Sequence, residues 1–311
     1  MQQTTPIRTA YLLMGLGGAG GAALEIVSDL LRTSNASPAV HLARIDTDMI
    51  PAVAGIDAFC MPVGAAMEPV METPGSFGST VSEIVEGFED YLDPDDMENG
   101  ARTLRALTQA AALVKREELA AFLNNCLRKI LTSHGANRVI PVLISSSGGG
   151  TGSALSVLLP DSLQEPGFRA RVLEGLSPKL LAKPVLIVAE PFAHALRNSD
   201  EQANDILANA YALRLETAEL ERRGALKYVI HLGMTNESGA MLDTLEELWL
   251  SLGATAARLI LHWQQLKSRF VDTLDRAARH HRYAGKNLPE QCFSSGSGES
   301  RGSDLPEGGL S

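Results

Sequence analysis

Ser145-Ser146-Ser147-Gly148-Gly149-Gly150-Thr151-Gly152-Ser153 lies between an apolar run, Val139 to Ile144, and a second apolar stretch, Ala154 to Leu159. The first run reads as a buried strand and the second as the start of a helix. A strand, a glycine-rich turn and a helix N-terminus, in that order, make a cradle for an anion. Glycine lets the backbone approach the ligand closely. The free N–H groups at the positive end of the helix then hold the negative charge. Thr151 and Ser153 offer hydroxyl donors. The loop contains no lysine, so it is not a Walker A loop, and backbone amides take the place of the ammonium.

A second glycine stretch lies near the N-terminus. Gly15-Leu16-Gly17-Gly18-Ala19-Gly20 satisfies G-x-G-x-x-G between a predicted strand, Ala10 to Leu16, and a predicted helix, Ala22 to Leu31, with Gly17 to Gly21 as the turn. That is the dinucleotide fingerprint in its proper context. Asp46 or Asp48, at the end of the next predicted strand (Val40 to Ile45), is placed to meet a ribose hydroxyl. A tight turn that packs a helix on a strand is the plainer reading of the same residues. A Rossmann dinucleotide site uses one glycine loop for one pyrophosphate. Two such loops, each opening a helix, suit a phosphate chain gripped from both sides.

The rest of the chain fits an α/β protein. Strands are expected at Pro184 to Ala189 and Leu226 to Leu232. Helices are expected at Val81 to Tyr91, Thr103 to Leu113, Glu117 to Leu131, Ser199 to Arg222, Met241 to Leu252 and Ala254 to Ala278. Ala52 to Gly78, rich in Gly, Pro and Met, reads as a long loop with short elements, and Asp93 to Asn99 as an acidic loop. Alternation of strands and helices predicts a Rossmann-like, mainly parallel sheet with helices on both faces. Residues 1–283 are expected to form one nucleotide-binding domain, and the Gly/Ser-rich residues 284–311 a disordered tail.

Composition narrows the function. The chain has 311 residues, 27 Lys and Arg against 37 Asp and Glu, a net charge of −10 and a pI near 5.2. That balance argues against an unspecific nucleic-acid binder. Cys60, Cys126 and Cys292 are scattered, with no CxxC pair, which suits a reducing compartment. The polar N-terminus lacks a secretory signal, and no apolar run approaches the ~18 residues of a membrane helix. A cytoplasmic location is the expectation.

With both loops in view, the chain resembles the tubulin/FtsZ superfamily of GTP-binding proteins, as a divergent bacterial tubulin-like member. Gly148 to Ser153 is similar to that family's signature phosphate loop, although Ala154 stands where a further glycine is usual. Gly17-Gly18-Ala19-Gly20-Gly21 resembles the first nucleotide loop, and Arg44-Ile45-Asp46-Thr47-Asp48 the second. Val188-Ala189-Glu190-Pro191-Phe192 is similar to the strand and loop near the ribose. Met234-Thr235-Asn236-Glu237 resembles the loop whose asparagine meets guanine. These matches follow the family's order from Tyr11 to His262.

The resemblance implies GTP or GDP with Mg²⁺, self-assembly into an oligomer or filament, and slow or partner-dependent hydrolysis. Gly100 and Arg102 would lie near the terminal phosphate, or at a plain helix start. Glu190 and Pro191 would lie near the sugar, and Asn236 at the base. Leu252-Gly253-Ala254-Thr255-Ala256-Ala257 resembles the start of the central helix. The family's base-reading Asn and Asp are replaced there by Ala256 and Ala257, which leaves guanine specificity open. Little chain follows Trp263, so the family's C-terminal domain is expected to be absent or vestigial. Asp272-Thr273-Leu274-Asp275 keeps a D-x-x-D spacing that would serve catalysis on a neighbour's nucleotide, or form a solvated helix face.

Two other functions remain open at this point: an NAD- or FAD-dependent Rossmann oxidoreductase using the first loop, and a degenerate, non-catalytic interaction module. His280-His281, adjacent on a predicted helix, point to different sides and make poor joint metal ligands.

Overall fold

A computed structural model describes residues 7–34, 38–73, 75–87, 101, 103–191, 195, 200–233 and 244–266. Its strands are Thr9–Leu16 (β1), Val40–Asp46 (β2), Ile56–Cys60 (β3), Arg138–Ser146 (β4), Val185–Ala189 (β5) and Tyr228–Leu232 (β6). They form one six-stranded sheet in the order β3-β2-β1-β4-β5-β6, and every pairing is parallel. The expected Rossmann-like α/β class is therefore the one observed. The central strands are buried almost throughout, β5 at every position and β4 at all but Arg138. That pattern belongs to parallel strands covered on both faces.

The helices among the described residues are Gly17–Thr33 (α1), Val63–Glu72 (α2), Ser79–Gly87 (α3), Arg105–Val114 (α4), Arg116–His134 (α5), Gly150–Ser162 (α6), Pro166–Val172 (α7), Asp200–Arg223 (α8) and Leu245–Leu266 (α9). Alternate residues of β1 face two different cores. Leu12, Met14 and Leu16 join Leu123 and Leu127 of α5, Leu155 of α6 and Leu213 of α8. Tyr11 and Leu13 join Leu24 and Val27 of α1 and Leu252, Ala256 and Ile260 of α9. A smaller third cluster joins α2, α3 and α4 through Val63, Met67, Val81, Leu107 and Ala110.

Several expectations are corrected. The first glycine stretch is not a loop before its helix, and in the second only Ser147 to Gly149 connect β4 to α6. Gly17 alone makes the turn, at φ +68°, and α1 starts there. Gly150-Thr151-Gly152-Ser153 is the first turn of α6, with Gly149 as its N-cap.

Ala52 to Gly78 contains strand β3 and helix α2. Val63, Ala66, Met67 and Val70 are all buried. Their i, i+3, i+4, i+7 spacing is helical, and it is obscured by the surrounding Gly, Pro and Met. α7, seven residues opened by Pro166, is too short to show a helical period in the sequence.

The two helices expected around Gly253 are one, α9. A β-carbon on Gly253 would stand 2.7 Å from the Ala23 carbonyl oxygen of α1. Glycine here permits a close crossing of two helices instead of marking a break. The acidic loop Asp93 to Asn99 and residues 284–311 lie outside the described residues. No helix among those described is long and apolar enough to cross a membrane.

Candidate nucleotide site

β1 has β2 on one side and β4 on the other, so the chain winds outward in both directions from the β1/β4 pair. In an open parallel sheet, such a switch point leaves a crevice at the carboxyl ends of the strands, where ligands bind. Both glycine stretches open there. The register pairs Gly15 with Ile144 and Arg44 on its two neighbours, which sets the ends of β1, β2 and β4 level.

Glycines pull the two helix starts together. A β-carbon on Gly17 would lie 2.9 Å from Gly152 N, and one on Gly152 would lie 2.9 Å from Leu16 O. On Gly20 it would collide with Ile144 O, and on Gly15 with Gly20 O. These are the close helix–strand contacts that the G-x-G-x-x-G spacing permits. On Gly148 it would meet Ile206 Cγ2 of α8 at 2.6 Å. Gly18 and Gly149 differ from these: a β-carbon on either would meet nothing within 4 Å. Each stretch therefore has a glycine that faces open space.

Neither helix start is capped by a side chain, and neither has an acidic residue in its first turn. The start of α6 is buried from Gly150 to Ser153, and α1 is buried at Gly17, Gly20 and Gly21. The first N–H groups of a helix lack intrahelical partners, so these two ends form a paired, electropositive patch of backbone. The hydroxyls support it. Ser153 Oγ donates to the Gly149 carbonyl, and Ser156 Oγ to that of Gly152 at 2.7 Å. Thr151 Oγ1 lies 2.6 Å from Thr47 Oγ1, which also accepts from the Ala101 N–H at 3.1 Å. Thr47 thus ties the end of β2 to the first turn of α6.

The carboxylates of the site are held in distinct ways. Asp46, 1% exposed, accepts from the Thr47 N–H at 2.9 Å on one oxygen and from Arg44 at 3.0 Å on the other. It shapes the turn that presents Thr47. Asp48 is exposed, and partial burial together with the charge of Asp46 raises its pKa against the opposing pull of Arg44. Arg44 packs against Gly21, and its buried Nε meets no acceptor among the described residues.

Glu190, at the end of β5, accepts from Arg214 at 2.7 Å and lies 3.1 Å from His231 Nδ1. Burial would raise its pKa, but the hydrogen bonds from His231 and Arg214 prevail and hold it below the usual carboxylate range. Pro191 follows, 3.4 Å from where a Gly148 β-carbon would stand. Asn209 of α8 donates to the Gly148 carbonyl at 3.1 Å.

The structure therefore gathers Gly17, Gly18, Ala19, Gly20, Gly21, Asp46, Thr47, Asp48, Glu190, Pro191 and Gly148 to Ser153 around the carboxyl edge. Gly100, Arg102, Asn236, Asp272 and Asp275 lie outside the described residues. Ala256 and Ala257 are buried in the α9 core, so neither can read a base. Arg214, His231 and Asn209 reach the site from α8 and β6, and no local motif in the sequence marks them.

No protein-family model matches the chain, and no curated protein matches it. Among solved structures, it is similar to TubZ of Bacillus thuringiensis serovar israelensis, solved as a GTPγS-form protofilament. Identity is 14% and the TM-score 0.36, and the match covers 88% of this chain and 55% of that one.

Proposed function

We propose that this chain is a tubulin-like protein that binds a purine nucleotide, GTP foremost, at the crevice between β1 and β4. One observation carries the reading: two helix N-termini without side-chain caps or first-turn acids touch each other at the switch point, and Gly18 and Gly149 leave space beside them. Paired helix starts of this kind hold anions. Gly17 to Gly21 would hold the inner phosphates and Gly148 to Ser153 the outer ones. Because Ala101 already donates to Thr47, the Thr47 proton can pass to Thr151, which frees the Thr151 proton for a phosphate oxygen.

Bound Mg²⁺ would offset the phosphate charge, as a hard cation held chiefly by oxygen ligands. Asp48 would orient its water shell. Asp46 is already engaged on both oxygens, which weakens the ribose-binding role that a dinucleotide enzyme would give it. Glu190 and Pro191 would border the sugar, with Gly100 and Asn236 joining through the segments that carry the family resemblance. Assembly into an oligomer or filament, and hydrolysis aided by Asp272 and Asp275 of a neighbouring copy, belong to the same reading.

The test is thermal unfolding with GTP, GDP, ATP, NAD and FAD, each with Mg²⁺. A ligand at 100 times its Kd stabilises the folded chain by about 2.7 kcal/mol. Stabilisation by GTP supports the reading. Stabilisation by NAD or FAD alone replaces it with the dinucleotide enzyme, and no shift with any of them leaves an interaction module. Sedimentation with and without GTP tests assembly, and a chain that stays monomeric at high concentration contradicts it.

A further inference from the structure

At the opposite end of the sheet, a second group of side chains has no part in the nucleotide site. His41 of β2 and Asp57 of β3 lie on the face covered by α5, where Phe59 and Phe122 stack with ring centroids 5.4 Å apart. Cys126 of α5 descends beside them. His41 Nε2 is 2.8 Å from Asp57 Oδ2, and Cys126 Sγ is 3.9 Å from the same oxygen. The three ligand atoms all fall within 4.8 Å of one another. A cavity of about 580 Å³, lined by Asp57, Phe122, Asn125, Cys126 and Lys129 among others, opens onto Asp57 and Cys126, with His41 behind them.

We infer that His41, Asp57 and Cys126 form a three-ligand site for a thiophilic divalent cation of the zinc class, with a fourth position open to the cavity. An imidazole, a carboxylate and a thiolate are the donor types zinc takes. With Zn–S near 2.3 Å and Zn–N and Zn–O near 2.0–2.2 Å, ligand atoms in a tetrahedral site stand roughly 3.3–3.6 Å apart. The 2.8 and 3.9 Å separations from Asp57 bracket that spacing, and the third, between His41 and Cys126, is within 4.8 Å, so side-chain adjustments of about 1 Å would close the site. A dication would balance one carboxylate and one thiolate, leaving a neutral cluster in a half-buried place.

Without a cation, the counter-charge to Asp57 is Lys129, whose Nζ lies 2.6 and 2.7 Å from its two oxygens. The Lys129 side chain is 55% exposed and rides on a flexible stem, so it can swing out when a stronger cation arrives. Cys126 is fully buried, so its thiol is shielded as a free nucleophile, and a metal is the partner that would draw out its thiolate.

Cobalt(II) titration of the untagged chain tests the site, because a Co–thiolate bond gives a charge-transfer band in the near ultraviolet. One equivalent should produce the band, and Zn²⁺ should abolish it by displacement. Cys126→Ser should lose the band, Cys60→Ser should keep it, and His41→Gln should weaken binding by about tenfold or more. Lys129→Gln should tighten binding several-fold, an effect that a merely structural ion pair would not give. Circular dichroism of each variant verifies folding. No band in the wild-type chain, a band that survives Cys126→Ser, or unchanged affinity in a folded His41→Gln variant overturns the inference.

Discussion

The two edges of the sheet carry polarity in opposite ways. At the carboxyl edge the polarity at the two helix starts comes from backbone: glycines that let them meet, and hydroxyls turned back onto their own helix carbonyls. At the amino end, under α5, it comes from side chains alone, with His41, Asp57, Cys126 and Lys129 gathered from two strands and a helix. A backbone site depends on what is missing at particular positions, chiefly β-carbons. A side-chain site depends on what is present. Substitutions should therefore act very differently at the two edges, and among the glycines of the carboxyl edge they should divide into two classes.

The largest effect is expected at a packing glycine. A β-carbon at Gly20 collides with the Ile144 carbonyl, which belongs to a central strand and cannot yield. Gly20→Ala should cost about 3 kcal/mol, the upper end for overpacking, read as a lower urea midpoint with unchanged slope. An unaltered midpoint would mean that α1 and β4 are not in such close contact.

Next comes the tie between β2 and α6. Thr47→Val removes the buried partner of both Thr151 and the Ala101 N–H. It should cost about 1–3 kcal/mol for the donor left unsatisfied. A parallel loss of nucleotide affinity would show that Thr47 orients Thr151, and stability loss without it would confine Thr47 to the fold.

The sharpest contrast is at an open glycine. Gly18 lies within α1 and its β-carbon would meet nothing, so Gly18→Ala should stabilise the unliganded chain by about 0.5–1 kcal/mol through helix propensity. The same methyl occupies ligand space and should reduce the thermal shift given by GTP. Stability and binding then move in opposite directions from one substitution. A Gly18→Ala chain that binds GTP normally would remove α1 from the phosphate grip.

The smallest effect is on pH dependence. Asp57 and Glu190 are both held below their ordinary range, because hydrogen bonds from Lys129 and His41, and from His231 and Arg214, outweigh burial. The stability they contribute is present above the unfolded carboxylate pKa, about 4, and is lost as pH falls through the lower folded value. Glu190→Gln should flatten part of that acid limb in a series of unfolding curves. An acid limb identical to wild type would show that the pair with Arg214 and His231 does not survive in solution.

The same contrast explains what could be read from the chain alone. The parallel sheet was legible because Val139 to Ile144 and Tyr11 to Leu16 are apolar without alternation, as strands buried on both faces must be. The crevice was legible because close backbone approach leaves glycines at fixed spacing. Region 52–78 reads only as a loop with short elements, without locating α2, because its helical spacing at Val63, Ala66, Met67 and Val70 sits in a composition typical of loops. Gly253 was misread because a glycine that ends a helix and one that lets another helix approach look alike in one dimension. The His41, Asp57 and Cys126 group had no signal at all. Its members are separated by 16 and 69 residues, and only the packing of α5 on β2 and β3 brings them together.

The central claim is that the carboxyl edge holds a nucleotide by its backbone. Thermal unfolding of the wild-type chain with and without saturating Mg²⁺–GTP tests it most directly. At 100 times Kd the account predicts a rise in Tm equivalent to about 2.7 kcal/mol of stabilisation. An unchanged Tm with GTP, with or without a rise on adding NAD or FAD, would contradict it.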